Sequence, residues 1–454
     1  PKEVLEFDAI GRIDDTEPAD PTGAKGNGTV VTAVNVHYAV WTPAGTPLAG
    51  PDRIEDLFAG MVPSRTIVFD PKVVYDPKQG RFYLVIVAYT DSTPPDSHIL
   101  IASFSDDEAS TPLLWCKRRL PGDAVPGDGN LFADYPGVGF DDRRLYVATN
   151  QFNQRDRFRY AQVLAINRAD LGSGCTGNVR FRKFWDLREP SGRRAFTVQP
   201  AVSIGSAAAR AGTGISFDWR CFPCRGRKVT IWRWAARDGA LRQRAKSLDV
   251  GVARVAPLGR QRGGGGLDAR WDTGDLRLVT SFFDTDRQRL YGGHSVLRNL
   301  GRSSSPNESV ARWYELYAPG RLKLAGVRRK GIVGTPNKDS AWPAIAANGN
   351  GRVFLSYSRA APDEFLSAWG AVIQPKGTGR ELIRLRRGEA RHEAQAATPG
   401  SSGVERWGDY NAITRDPVAP LRMWSINQYA KDDRDRSNGV RSELWQQVVN
   451  ALRA

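Results

Sequence analysis

The chain has 454 residues, with 65 Lys plus Arg against 49 Asp plus Glu, a formal net charge of +16. Hydrophobic residues make up 41% and charged residues 25%, the ordinary balance of a globular protein. No apolar run approaches the ~20 residues of a membrane-spanning helix, so a helical membrane protein is excluded. The first residue is Pro1 and no signal peptide follows it, which suggests a processed chain.

From the N-terminus, Val4-Leu5-Glu6-Phe7 reads as a strand without a hairpin partner nearby. A first unit follows: Asp20-Pro21-Thr22-Gly23-Ala24-Lys25, then Thr29-Val30-Val31-Thr32-Ala33-Val34. From there a short phrase returns. It is Phe69-Asp70-Pro71-Lys72-Val73-Val74-Tyr75-Asp76, then Ala133-Asp134-Tyr135-Pro136-Gly137-Val138-Gly139-Phe140-Asp141, then Val198-Gln199-Pro200-Ala201-Val202. Pro71, Pro136 and Pro200 stand 65 and 64 residues apart. A fixed interval of this kind is the mark of a repeat architecture. The fifth unit has lost the proline and is read at Leu267-Asp268-Ala269-Arg270-Trp271-Asp272, with Leu276–Val279 as its next strand. The last two are Trp342-Pro343-Ala344-Ile345-Ala346 and Trp407-Gly408-Asp409-Tyr410-Asn411-Ala412-Ile413.

After each phrase comes a turn and a β-branched, aromatic run, such as Arg81-Phe82-Tyr83-Leu84-Val85-Ile86-Val87 or Arg352-Val353-Phe354-Leu355-Ser356-Tyr357. Strand, turn, strand is a hairpin signature. A third strand follows, for example His98–Ser103, Tyr160–Ile166 or Lys228–Trp232, and then a weaker fourth, for example Leu114–Lys117 or Val179–Phe184. Four antiparallel strands per unit make the blade of a propeller. The reading is therefore all-β: one domain over residues 1–454, a seven-bladed β-propeller of four-stranded antiparallel blades. The last blade runs out near Leu444–Val449, and the N-terminal strand closes it, which removes an open sheet edge. A short helix over Arg441–Leu452 is the competing reading of that last stretch. Leu385–Val404 reads as a long mobile loop.

Cys116, Cys175, Cys221 and Cys224 are an even set, and the reading is two disulfides in an oxidising, extracellular or periplasmic setting. Cys221-Phe222-Pro223-Cys224 has redox spacing, but no thioredoxin-like βαβ pattern surrounds it. The four histidines form no HxH or HExxH arrangement, and no phosphate-binding loop is present. The positive charge favours anionic partners: an acidic glycan, an acidic surface or an acidic protein, with no specific nucleic-acid signature.

The stretches "DPTGAKGNGTVVTAVN", "DPKVVYDPKQGRFYLV", "ADYPGVGFDDRRLYVATNQF", "AWPAIAANGNGRVFLSYSR" and "RWGDYNAITRDP" resemble large secreted β-propellers of the sialidase-like group. The resemblance spans nearly the whole chain and is one of blade pattern. Asp-box turns of the SxDxGxTW type are absent, and the arginine triad of sialidases has no counterpart that can be placed residue by residue. Sialidase chemistry is therefore not implied.

In such a fold the innermost strand of each blade lines the central channel. The phrase then brings Asp70, Asp134, Tyr135, Gln199, Arg270, Asp409 and Tyr410 together from different blades, with Trp342 as an apolar wall. Carboxylates, Tyr and Arg suit a sugar, and carboxylates make Ca²⁺ a candidate. Paired carboxylates serve glycoside hydrolysis; Tyr with Arg serves elimination from a uronate. The structural reading stands beside this one: a residue that repeats serves the blade, and Asp at a strand start bonds nearby backbone amides. Arg270 breaks the repeat and is on that ground the sharper functional candidate. The expected function is binding of an anionic glycan at the channel mouth, with cleavage as an extension. The alternative is a non-catalytic scaffold in a surface or multi-subunit assembly.

Overall fold

The computed structural model describes all residues except 1, 15, 64, 91–95, 124–130, 219, 222–223, 264–269, 299–306, 378, 394–403, 434–441 and 454. The protein is all-β, and its strands pair mainly as successive four-stranded antiparallel units, with Val202–Ile204 joining the third and fifth of them by parallel pairing into one nine-stranded sheet. The first comprises Thr22–Lys25, Val30–Val34, His37–Trp41 and Pro47–Arg53. Next come Thr66–Asp76, Arg81–Thr90, Asp96–Ser105 and Cys116–Pro121, then Leu131–Phe140, Arg144–Asn153, Phe158–Asn167 and Phe181–Phe184. The fourth pairs Gln199–Pro200, Ala211–Phe217, Cys224–Arg237 and Ala240–Arg254.

The fifth unit departs from the sequence reading. Its first strand is Thr280–Asp284, followed by Arg289–Leu297, Ser309–Tyr317 and Gly326–Val333. Leu276–Val279 is the lead-in to that inner strand and not the second strand. Arg270–Trp271 belongs instead to a small three-stranded sheet with Gly259–Arg260 and Val404–Glu405. The sixth unit is Asp339–Ala347, Val353–Ala361, Glu364–Ile373 and Arg380–Arg386. The last has Ala412–Arg415, Arg422–Asp433 and Ser442–Arg453, and its outer partner is the N-terminal strand Lys2–Gly11. The stretch read alternatively as a C-terminal helix is thus a strand.

Burial follows strand position. The second strand Arg81–Thr90 is buried at eight successive positions, on both faces, whereas the outer strand Pro47–Arg53 is exposed or half-buried throughout. A sheet packed on both faces reads as an unbroken apolar run rather than an alternating one, which is why Phe82 to Ala88 carries no polar residue. Alternate side chains serve opposite neighbours. Phe82, Leu84 and Ile86 pack with Val31, Ala33 and Tyr38 of the first unit; Tyr83, Val85 and Val87 pack with Val138, Leu145 and Val147 of the third. Each such side chain contributes roughly 1.5–3 kcal/mol on full burial. Trp424, Ile426 and Val449 of the last unit pack with Val30, Val34 and Trp41 of the first.

The inner strands also touch in sequence, Thr22–Lys25 on Thr66–Asp76, that one on Leu131–Phe140, and so on, and Ala412–Arg415 lies against Thr22–Lys25. All of them line one cavity of about 360 Å³. This is β-propeller architecture, with sheets packed face to face about a shared axis.

The phrase has a local physical cause. Asp20, Asp70, Tyr135 and Trp342 each precede a proline and adopt positive φ, between 49° and 57°. At the last three the antiparallel register slips, between Phe69 and Lys72, Asp134 and Gly137, and Ala341 and Ala344. The X-Pro pair is therefore a bulge that turns the inner strand at its start and costs the hairpin one ladder bond. The Asp that ends the phrase is a turn residue: Asp141 accepts from the N–H groups of Arg143 and Arg144 at 2.7 Å, and Asp416 from those of Val418 and Ala419 at 2.9 Å.

Cys116 and Cys175 form a disulfide that ties the second unit to the loop after Phe158–Asn167. Cys221 and Cys224 face each other across a tight hairpin; the Cys221 side chain lies outside the described residues, as does most of the Gly263–Gly266 run. Of Leu385–Val404, residues 394–403 also lie outside them, while Leu385 and His392 are buried. Among the described residues no helix is long and apolar enough to cross a membrane.

Candidate functional site

The starts of the inner strands converge at one end of the channel, and the bulges there aim side chains at the axis. Asp20 accepts the backbone N–H of Asp409 at 2.6 Å and the Asn35 amide at 2.8 Å. Asn35 in turn accepts the backbone N–H of Asp70 at 2.7 Å, and Asp70 accepts that of Tyr135 at 3.0 Å. Tyr135 donates its hydroxyl to the Asp409 carbonyl, and Tyr410 donates its own to the Pro71 carbonyl, both at 2.9 Å. The two rings meet edge to face, 6.0 Å between centroids. Lys72 lies over Tyr410 and near Tyr135, and Trp342 donates its indole N–H to the Asp272 carbonyl at 3.0 Å. Tyr135, Tyr410, Lys72 and Trp342 are all buried. Together they form an aromatic plug across the axis.

On the outer side of the plug lies a charged mouth. Arg277 stacks over Tyr135 at 4.4 Å and is ion-paired with Asp275 at 2.7 Å. Arg406 donates to Asp409 at 2.9 Å and stands 3.7 Å from Asp272. Asp134 and Asp409 are half-buried beside them.

Burial and crowding of like charges set the ionisation here. Burial, with Asp409 and Asp70 beside it, holds Asp20 well above the usual carboxylate range. Asp70 is raised by burial and by Asp409. Burial, reinforced by Asp70 and opposed by Arg277, pushes Asp134 up to about 8. Burial also raises Asp272 and pulls Lys72 down to about 7, against the pull of Asp70. Asp134 is therefore biased toward its protonated form, and the Asp409 carboxyl close by is ion-paired with Arg406. A proton donor beside a carboxylate is the pairing that acid–base chemistry requires.

Of the residues expected from sequence, Asp70, Asp134, Tyr135, Trp342, Asp409 and Tyr410 meet here. Asp70 accepts a backbone N–H as the structural reading expected of a strand-start Asp, but from Tyr135 of the next unit rather than from the adjoining turn. Gln199 lies on the wall of the cavity on the other side of the plug. Arg270 is elsewhere: its guanidinium reaches the Leu258 carbonyl at 3.5 Å, in the small sheet. The arginine of the mouth is Arg277, and the sequence reading missed it along with Asp20, Lys72, Asp272, Asp275 and Arg406. A signal existed for Asp20, whose Asp-Pro pair matches Asp70-Pro71. Among the described residues no three His, Cys, Asp or Glu side chains are grouped to hold a metal ion, so the Ca²⁺ expectation has no ligand set behind it.

No protein-family model matches the chain, and no curated protein does. The chain is similar, at low sequence identity, to several solved structures. They include an endo-arabinase from Bacteroides thetaiotaomicron (13% identity, 71% of this chain and 95% of that one, TM-score 0.33). A sialidase from Trypanosoma rangeli is 10% identical over 95% of this chain and 58% of that one, TM-score 0.39. The WD40 domain of SCAP from fission yeast is 10% identical over 98% and 97%, TM-score 0.36.

Proposed function

We propose that this chain is a single seven-bladed propeller, closed by its N-terminal strand and exported from the cell, that binds a glycan at the charged mouth and cleaves it there. The observation that carries the reading is the juxtaposition of Asp134, biased toward its protonated form, with Asp409, ion-paired to Arg406 and beside Arg277. Sugar hydroxyls take donors and acceptors in this mixture. Asp134 supplies the proton to the leaving oxygen, and Asp409 acts on the opposite side as base or nucleophile, the division of labour of glycoside hydrolysis. The net charge of +16 favours an anionic polymer at long range. The mouth itself is rich in carboxylates, so the unit seated in it is a neutral sugar and the acidic groups lie over the basic surface outside. The Cys116–Cys175 disulfide supports an oxidising compartment.

A second reading has its own observation. Asp20 and Asp70 accept backbone N–H groups of neighbouring units, and the channel is plugged, as suits a non-catalytic scaffold whose carboxylates fasten the blades. A panel of acidic and neutral polysaccharides, scored for retention and for release of reducing ends, separates the two. Retention with product release supports the enzyme, retention alone a binding module, and neither leaves the scaffold.

A further inference from the structure

Behind the plug, the channel is a different place. The cavity of about 360 Å³ is walled by Val74, Val138, Val202, Ile204, Phe282 and Ile345, and it includes none of the mouth carboxylates. Its far end is rimmed by exposed residues, Ser206, Asp286 and Pro420 among them, so it communicates with solvent on the face opposite the mouth. At its closed end stand Lys72 and Gln199. Lys72 is 8% exposed and Gln199 3%, and neither Lys72 Nζ nor Gln199 Nε2 has a hydrogen-bond partner. Further along the wall, the hydroxyls of Ser281 and Thr414 are likewise buried and unpartnered.

A buried polar group without a partner is costly, and an ammonium more so than an amide. The Tyr410 and Tyr135 rings face the ammonium but accept no hydrogen bond from it, and the carboxylates nearest Lys72 are engaged elsewhere. Asp70 is bonded to Tyr135, Asp20 to Asn35 and Asp409, and Asp409 to Arg406. The unmet groups at the closed end are both donors, one of them cationic. The wall beyond them is apolar at Val74, Val138, Val202, Ile204, Phe282 and Ile345, with the hydroxyls of Ser281 and Thr414 between and the charged Lys25, Asp286, Arg415 and Asp416 also lining it. We infer that this well is a second ligand site, for a small amphipathic monocarboxylate whose apolar body fills the Val74–Ile345 walls. The carboxylate accepts from Lys72 Nζ and Gln199 Nε2 at the closed end. The volume falls in the range of small-molecule pockets. An apolar body gains by leaving water, and a charge-assisted bond to a desolvated ammonium is among the stronger contacts an anion can make. This site does not rest on the glycan reading, since the cavity lining includes none of the mouth carboxylates.

The test is calorimetric titration of the full chain with sodium octanoate and, separately, with 1-octanol, at slightly acidic pH. Octanoate is expected to bind saturably and about tenfold or more tighter than octanol. Lys72→Met is expected to weaken octanoate by about that factor while leaving octanol unchanged. Gln199→Met gives the same selectivity in smaller measure and stands in if Lys72→Met does not fold. The inference is overturned if octanoate does not bind, if it binds no better than octanol, or if the folded variants bind octanoate as the unsubstituted protein does. A loss of octanoate binding in Gln199→Met with glycan retention intact supports it.

Discussion

Asp70 accepts the backbone N–H of Tyr135 at 3.0 Å, so the bulge residue that starts one inner strand holds the bulge residue that starts the next. The same tie recurs between Asp20 and Asp409 and between Asn35 and Asp70. Removing the acceptor strands a buried N–H. Asp70→Ala should lower stability by about 1–3 kcal/mol. Asp70→Asn keeps an acceptor oxygen and imitates the protonated carboxyl, so it should cost less than half as much. Urea unfolding midpoints measure both.

Asp134 gives a pH prediction with a definite sign. Its folded value of about 8 lies above the unfolded one, so the folded state binds the extra proton and stability falls as pH rises between those values. Glu17, pushed to about 8 by burial, acts in the same direction. Lys72, depressed to about 7, acts oppositely, adding stability as pH rises through 7 and above. Below 7 the carboxyls dominate. Between about pH 5 and pH 7 the urea midpoint should fall, and Asp134→Asn should flatten that fall. An unchanged slope in the variant would refute the assignment.

The Cys116–Cys175 disulfide spans 59 residues of sequence. On the chain-entropy account its loss costs about 4 kcal/mol. Cys116→Ala with Cys175→Ala should therefore lower the melting temperature by several degrees, and a reducing agent should do the same to the unsubstituted chain.

Much of the fold was legible because its devices are local. The X-Pro pair announces a bulge, the Asp after the inner strand announces a hairpin turn, and doubly buried strands leave unbroken apolar runs. The failure at the fifth unit has the same origin. Its inner strand has no proline, and aligning the phrase on Trp271 set it seven residues early, since the register puts Leu278 at that place. The tail of the hairpin carried the correct register: Asp284-Thr285-Asp286-Arg287-Gln288-Arg289 parallels Asp141-Asp142-Arg143-Arg144 and Asp76-Pro77-Lys78-Gln79-Gly80-Arg81. That slip put Arg270 where Arg277 belongs. Arg406 stands directly before the last phrase and Asp272 ends the misaligned fifth one, so neither was singled out as a site residue.

Deleting residues 2–11 tests the ring. That strand pairs along its length with Ser442–Arg453, and without it the last unit presents an unpaired edge. The truncated chain should unfold at lower urea and aggregate as its concentration rises.

The central claim is that the glycan sits at the mouth of Arg277 and Asp409. The most direct measurement is retention on the best polysaccharide of the panel by affinity electrophoresis, with Arg277→Gln set against Arg270→Gln. The account predicts that Arg277→Gln weakens retention about tenfold or more, as loss of a charged hydrogen-bond donor does, while Arg270→Gln behaves as the unsubstituted chain. Undiminished retention by folded Arg277→Gln, or loss confined to Arg270→Gln, would contradict it.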